Sequence, residues 1–356
     1  MKIFAKTIAL IPVLSVIVFL SCSDNSDNPP DDNNTKTYPG YTLVWNDEFN
    51  GTVLDLTKWN YETGTGVNGD FGTGQLDRAT NRIENVGIIN GITGADGSCL
   101  AITARKEFFI DRNYTSGRIN TQNKFSCGPG YKIEARIRAK DVKYKGQGFA
   151  FWMMPDEIPA GQSYIMWPQG GEVDIMEYVG SIPFHNLSSV HYAWFWNNNQ
   201  YADWNHAHKG AYYEYLSQEV PVSNPTWGGY PPADNDAGAG SYEFHIYGIN
   251  WFSDRIEFYI DQKIYHVHYF NDGGVFNNSP DGQDYDIVLT QNSKRTMLSE
   301  YSNHFNEWHP FEHKMYLILS TGVGGDDNKT YGGAIVPQAV FPASVYIDWV
   351  RVYKKE

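Results

Sequence analysis

The chain has 356 residues, 41 of them acidic and 27 basic, for a formal charge of −14. That balance argues against nucleic acid and heavily sulfated glycans as partners, which demand cationic surfaces, whereas a neutral polysaccharide meets no such repulsion. Aromatic residues make up 15% and glycine numbers 34; with no long helical periodicity, this points to an all-β protein.

At the start, Lys2 and Lys6 precede an apolar run from Ile8 to Leu20 that ends at Ser21-Cys22. A charged start and a short apolar run make a secretory leader, too short to be a good spanning helix. A cysteine directly after such a run resembles a bacterial lipoprotein cleavage box. The expectation is therefore a lipoprotein signal over 1–22, with Cys22 as the lipidated first residue; an ordinary signal peptide cut nearby is the alternative. Residues 23–40 hold Asp, Asn, Ser and a proline pair but almost nothing apolar, and read as a flexible tether. Residues 41–356 fit one large all-β domain. This organisation predicts an outer-membrane lipoprotein at the cell surface, monomeric, with its lipid as the only membrane contact.

Within the domain, short apolar or alternating runs between turn signals predict strands at Leu100 to Ala104, Tyr131 to Ala139, Phe149 to Met153, Glu243 to Asn250, Ile256 to Ile260, Met315 to Ser320 and Val345 to Tyr353. Such a series reads as a two-sheet sandwich with one sheet curved into a groove. Two stretches, roughly Asn197 to Ser241 and Asn271 to His309, show no clear strand pattern and little aliphatic material. Long loops of this kind either wall a groove or elaborate the surface. Cys99 and Cys127 either pair in an oxidising compartment or remain buried thiols.

The stretch that carries chemistry is Gly171 to Gly180, where Glu172, Asp174 and Glu177 are threaded through an apolar run that reads as one buried strand. Alternation puts Glu172 and Asp174 on one face and Val173 and Ile175 on the other. Glu177 is out of step unless one extra residue at Ile175-Met176, a β-bulge, returns it to the acidic face. The two glutamates then sit roughly 13 Å apart at Cα by the usual strand rise, within reach of each other through their side chains. Carboxylates about 5–5.5 Å apart suit a retaining glycosidase, in which one attacks the sugar and the other protonates the leaving oxygen. Crowded like charges raise at least one pKa, which favours Glu177 as the protonated acid. The alternative is an amphipathic strand with a solvated acidic face.

Sugar rings have weakly apolar faces and hydroxylated rims, so a glycan groove needs aromatic platforms beside polar groups. Phe151, Trp152 and Trp167 precede the acidic strand, and Tyr178, His191, Trp194, Trp196 and Trp204 follow it. Core packing competes for the tryptophans, and a satisfied core position for His191. His206 and His208 lie two apart, but no third ligand for a transition metal is evident.

Glu172 to Glu177, in its bulged form, resembles the signature of glycoside hydrolase family 16, laminarinase-like branch. Flanking pieces match in order: Trp45 to Gly51, Arg82 to Val86, Tyr114 to Ile119, Tyr131 to Arg138, Trp167-Pro168 and Ile347 to Tyr353. The resemblance implies a concanavalin A-like β-jelly-roll, two curved antiparallel sheets with a substrate groove. It implies Glu172 as nucleophile, Glu177 as acid and base, and Asp174 as the group that orients Glu172. Trp152, Trp167 and His191 would line the site near the reacting sugar, and Arg82 would contact sugar further along. No cofactor enters the chemistry; some family members bind calcium opposite the groove, for which Glu48 and Asp348 would be the ligands here. The expected activity is a retaining endo-β-glucanase on β-1,3-glucan or mixed β-1,3/1,4-glucan. Hydrolysis of a galactan such as agarose or porphyran, and a noncatalytic surface glycan-binding protein, are the alternatives. Two departures bear on linkage: Gly146 to Trp152 lacks the family's first Trp-Pro, and Phe71 to Asp77 has changed residues where an Asn and a Glu are frequent.

Overall fold

The computed structural model describes residues 37–158, 167–168, 170–182, 185–197, 200–212, 243–269 and 310–356, without the side chains of 193–212 and 269. Cys22, the leader and most of the tether lie outside these residues, as do 198–199 and 213–241 of the first long stretch and the whole of the second.

Alternating apolar residues dictate two stacked sheets. In Gln147–Pro155, Phe149, Phe151 and Met153 are buried in the core while Trp152, between them, is only half-buried. Ile133, Ala135 and Ile137 of Tyr131–Arg138 and Val345 and Ile347 of Ala343–Lys355 close on the same core from the other sheet. Each fully buried side chain of this size stabilises by about 1.5–3 kcal/mol.

One sheet runs Lys263–Tyr269, Arg255–Ile260, His245–Trp251, Tyr131–Arg138, Ala343–Lys355, Cys99–Phe109, Arg112–Ser116 and Asp77–Ala79, with Tyr41–Asp47 and Val86–Ile89 attached at its side. The other runs Gln200–Tyr212, His185–Asn197, Glu172–Val179, Gln147–Pro155, Met315–Val323, Arg118–Asn120 and Asn60–Tyr61. The pairing is antiparallel apart from the short parallel contact of Asp77–Ala79 with Arg112–Ser116. This is the all-β jelly-roll sandwich the sequence implied.

All seven predicted runs coincide with strands, although Ala139, Glu243 and Phe244 lie just outside theirs. The Asn197 to Ser241 stretch corrects the reading: Gln200–Tyr212 is a thirteen-residue strand paired along His185–Asn197. Its residues are aromatic and polar rather than aliphatic, so the usual apolar signal is missing. Cys99 and Cys127 are free thiols, buried in different sheets. Burial pushes the Cys99 thiol up to about 12 and raises that of Cys127 as well.

Candidate active site

The bulge falls where the spacing of the carboxylates requires it. Against Gln147–Pro155 the register runs Phe151 to Met176 and then Trp152 to Asp174, leaving Ile175 as the extra residue. Against His185–Asn197 it breaks over the same interval, between Asp174 and Glu177. Ile175 and Met176 consequently both enter the core, with Val173 and Tyr178. Glu172, Asp174 and Glu177 together line one wall of a groove across the seven-strand path.

Each acid has its own support. The Trp167 indole N–H donates to Glu172 Oε2, and Ser189 Oγ donates to Glu177 Oε2 at 2.9 Å. Asp174 lies between them, 3% exposed, with Oδ2 3.2 Å from His191 Nε2. Burial raises all three acids. Glu172 is pushed up to about 8, by burial first and the Asp174 charge second, with His191 opposing. Asp174 is raised by burial and then by Glu177. The expectation that crowding would single out Glu177 is thus too narrow, because desolvation acts on the whole cluster.

From the acidic strand the groove floor runs over Ala150 and Gly148 to Ser320 and Gly322, pairs that face each other in register. Its small residues leave room for a ring, and a Cβ at Gly322 would stand 2.6 Å from Gln75 Oε1. Trp152 forms the aromatic wall, its indole N–H donating to Ser320 Oγ at 3.2 Å. Arg118 stacks on the Trp152 ring at 4.8 Å and pairs with Glu62 at 2.8 Å. Arg118 is the only basic side chain among the described residues lining this groove, and Glu62 neutralises it.

No protein-family model matches the chain. A β-glucanase of Rhodothermus marinus is 30% identical over 99% of this chain and 96% of its own length. Glucan endo-1,3-beta-glucosidase A1 of Niallia circulans is 30% identical over 89% of this chain, which spans about 38% of that longer protein. The solved endo-β-1,3-glucanase of Pyrococcus furiosus superposes with a TM-score of 0.61 at 26% identity, covering 88% of this chain and 94% of that one. The chain belongs to glycoside hydrolase family 16.

Other residues carried over by the family resemblance divide. Trp167 is 47% exposed and tilts against His191 with ring centroids 5.9 Å apart, and His191 sits opposite Glu172 in register. These two and Trp152 therefore surround the acids. Phe151 and Tyr178 are core. Arg82 is not among the groove-lining side chains: it pairs with Glu107, donates to Asn85 Oδ1 at 3.0 Å and stacks on Phe109 at 4.3 Å. The side chains of Trp194, Trp196, Trp204, His206 and His208 lie outside the described residues.

The family's calcium does not fit Glu48 and Asp348 as they stand. Arg351 donates to both oxygens of Glu48, at 2.9 and 2.7 Å. Arg136 pairs with Asp348, which also accepts from the Asp96 backbone N–H at 3.0 Å. A calcium ion needs six to eight oxygen ligands, and here each carboxylate already holds a guanidinium. Phe71, Thr73 and Gln75, from the stretch expected to bear on linkage, line the groove, whereas sequence reasoning missed Arg118, Ser320 and Tyr331 as groove residues. Arg118 was within reach, since it lies in the matching Tyr114 to Ile119 piece.

Proposed function

We propose that this family 16 protein is a retaining endo-β-glucanase that cuts within β-1,3-glucan or mixed β-1,3/1,4-glucan. The observation that carries the reading is the bulge at Ile175, which gathers Glu172, Asp174 and Glu177 on one groove wall. The activities named for the relatives from Rhodothermus marinus and Niallia circulans support the substrate. A groove without an unpaired cation among its described lining residues favours a neutral glucan over a sulfated galactan.

In this mechanism the ionised Glu172 attacks the anomeric carbon, and the bond to the leaving sugar oxygen breaks as Glu177 delivers its proton there. A glycosyl ester on Glu172 results. Glu177, now a base, takes a proton from water, the water oxygen attacks the same carbon, and Glu172 departs with the β-configuration restored. The Trp167 N–H holds Glu172 at the angle of attack, and a proton on Asp174 spares Glu172 a second adjacent negative charge. Ser189 fixes Glu177. Trp152 presents its face to a sugar ring.

The same proposal places the mature protein, as a monomer, at the outer-membrane surface through a lipid on Cys22, supported by the leader and the polar tether. The deciding experiment is a panel of laminarin, mixed-linkage glucan, agarose, porphyran and xyloglucan, with products sized and early anomers followed by proton NMR. Internal cleavage of the first two with β-anomer first is expected. Cleavage of agarose or porphyran alone, or α-anomer first, overturns the reading.

A further inference from the structure

We propose that the catalytic wall is also a binding site for a divalent transition ion of the Zn2+ class, held by Glu172, Asp174 and His191, and that ion and glycan exclude one another. The exclusion rests on the glucanase reading; the binding does not.

Among the described residues, these three are the group of His, Cys, Asp or Glu side chains whose ligand atoms converge, one from each lying within 4.8 Å of the other two. The strands enforce this. Glu172 and Asp174 share a face two residues apart, and His191 is the register partner of Glu172 on the neighbouring strand. Zinc bonds of about 2.0–2.1 Å at a tetrahedral angle set two ligand atoms about 3.3 Å apart. His191 Nε2 and Asp174 Oδ2 are 3.2 Å apart.

A second observation is independent of that spacing. Asp174 Oδ2 is buried in a residue only 3% exposed, and the His191 Nε2 that lies 3.2 Å away is not aligned to donate a hydrogen bond to it. A buried carboxylate oxygen without an aligned donor is costly, and a cation bridging it to His191 would relieve it. Glu172 gives Oε2 to the Trp167 indole, so its ligand atom would be Oε1. One imidazole and two carboxylates suit zinc or copper, whereas magnesium and calcium require more oxygens than converge here. The fourth position opens to the groove, where the reacting sugar would lie. An ion there occupies the electron pair that Glu172 needs for attack and fills the space of the anomeric carbon.

The test titrates zinc chloride into the mature protein by calorimetry, in a buffer that does not chelate and without glycan. One binding event is expected, weakened at least tenfold in His191→Asn and again in Asp174→Asn, with no heat from magnesium or calcium. Circular dichroism melts establish that each variant is folded. Added zinc should raise the KM for laminarin with kcat unchanged; a fall in kcat at unchanged KM would overturn the mutual exclusion. Absence of binding, equal binding by the folded variants, or equal binding of calcium overturns the proposal. Inactivity on every glycan of the panel would instead remove the glucanase reading, leaving the zinc titration decisive on its own.

Discussion

At the residue scale, the acids and Trp152 can be tested one atom group at a time. Glu172→Gln keeps shape but cannot attack, so turnover should fall by several orders of magnitude while glycan binding persists, checked by reducing-sugar release and calorimetry. Wild-type rates in both Glu172→Gln and Glu177→Gln would sink the assignment. Trp152 stands on the groove face with Arg118 stacked on it, so Trp152→Phe should lower kcat/KM and shift stability by no more than about 1 kcal/mol. A falling melting temperature with unchanged kinetics would mark it as core. His185 is buried and its pKa is lowered from 6.5 to about 4 by that burial. The native state binds this proton more weakly than the unfolded chain, so the stability it contributes is present above pH 6.5 and lost as pH falls toward 4. The full loss is about 3 kcal/mol, and acid melting of His185→Gln should show a shallower decline than the parent.

At the element scale the acidic strand works because its neighbours define which face each residue takes. The bulge was legible from Glu172, Asp174 and Glu177 alone, since their spacing violates a period of two unless one residue is extra. The Gln200–Tyr212 strand was not, because pairing with His185–Asn197 overrides a weak local pattern. Phe151 occupies the centre of the strand beside the acids and is fully buried. Phe151→Ala should cost about 3–5 kcal/mol in chemical denaturation, the usual range for an emptied aromatic core position. Loss below 1 kcal/mol would show that the sandwich can collapse around the gap.

At the scale of the whole molecule, the carboxylates expected to hold calcium are instead tied to Arg351 and Arg136. Melting temperature should therefore be indifferent to added calcium; a rise of several degrees with calcium would reveal a site that these residues do not describe. The proposed lipid attachment can be tested apart from activity, because Cys22 precedes the sandwich in the sequence. Cys22→Ala should move the protein from the membrane fraction to the soluble one with specific activity unchanged, and retention in the membrane would reject lipidation there.

By itself the sequence determined the all-β class, the bulged acidic strand and the order of the matching pieces, because alternation and turn chemistry are local properties that survive without knowledge of partners. It could not determine which distant charges meet. Arg82 was assigned to the groove and lies with Glu107 and Asn85, whereas Arg118, 36 positions later, stacks on Trp152. A guanidinium goes to whichever carboxylate or ring the folded sheets bring near it, and that choice is made by strand order and register, so only the tertiary structure decided it.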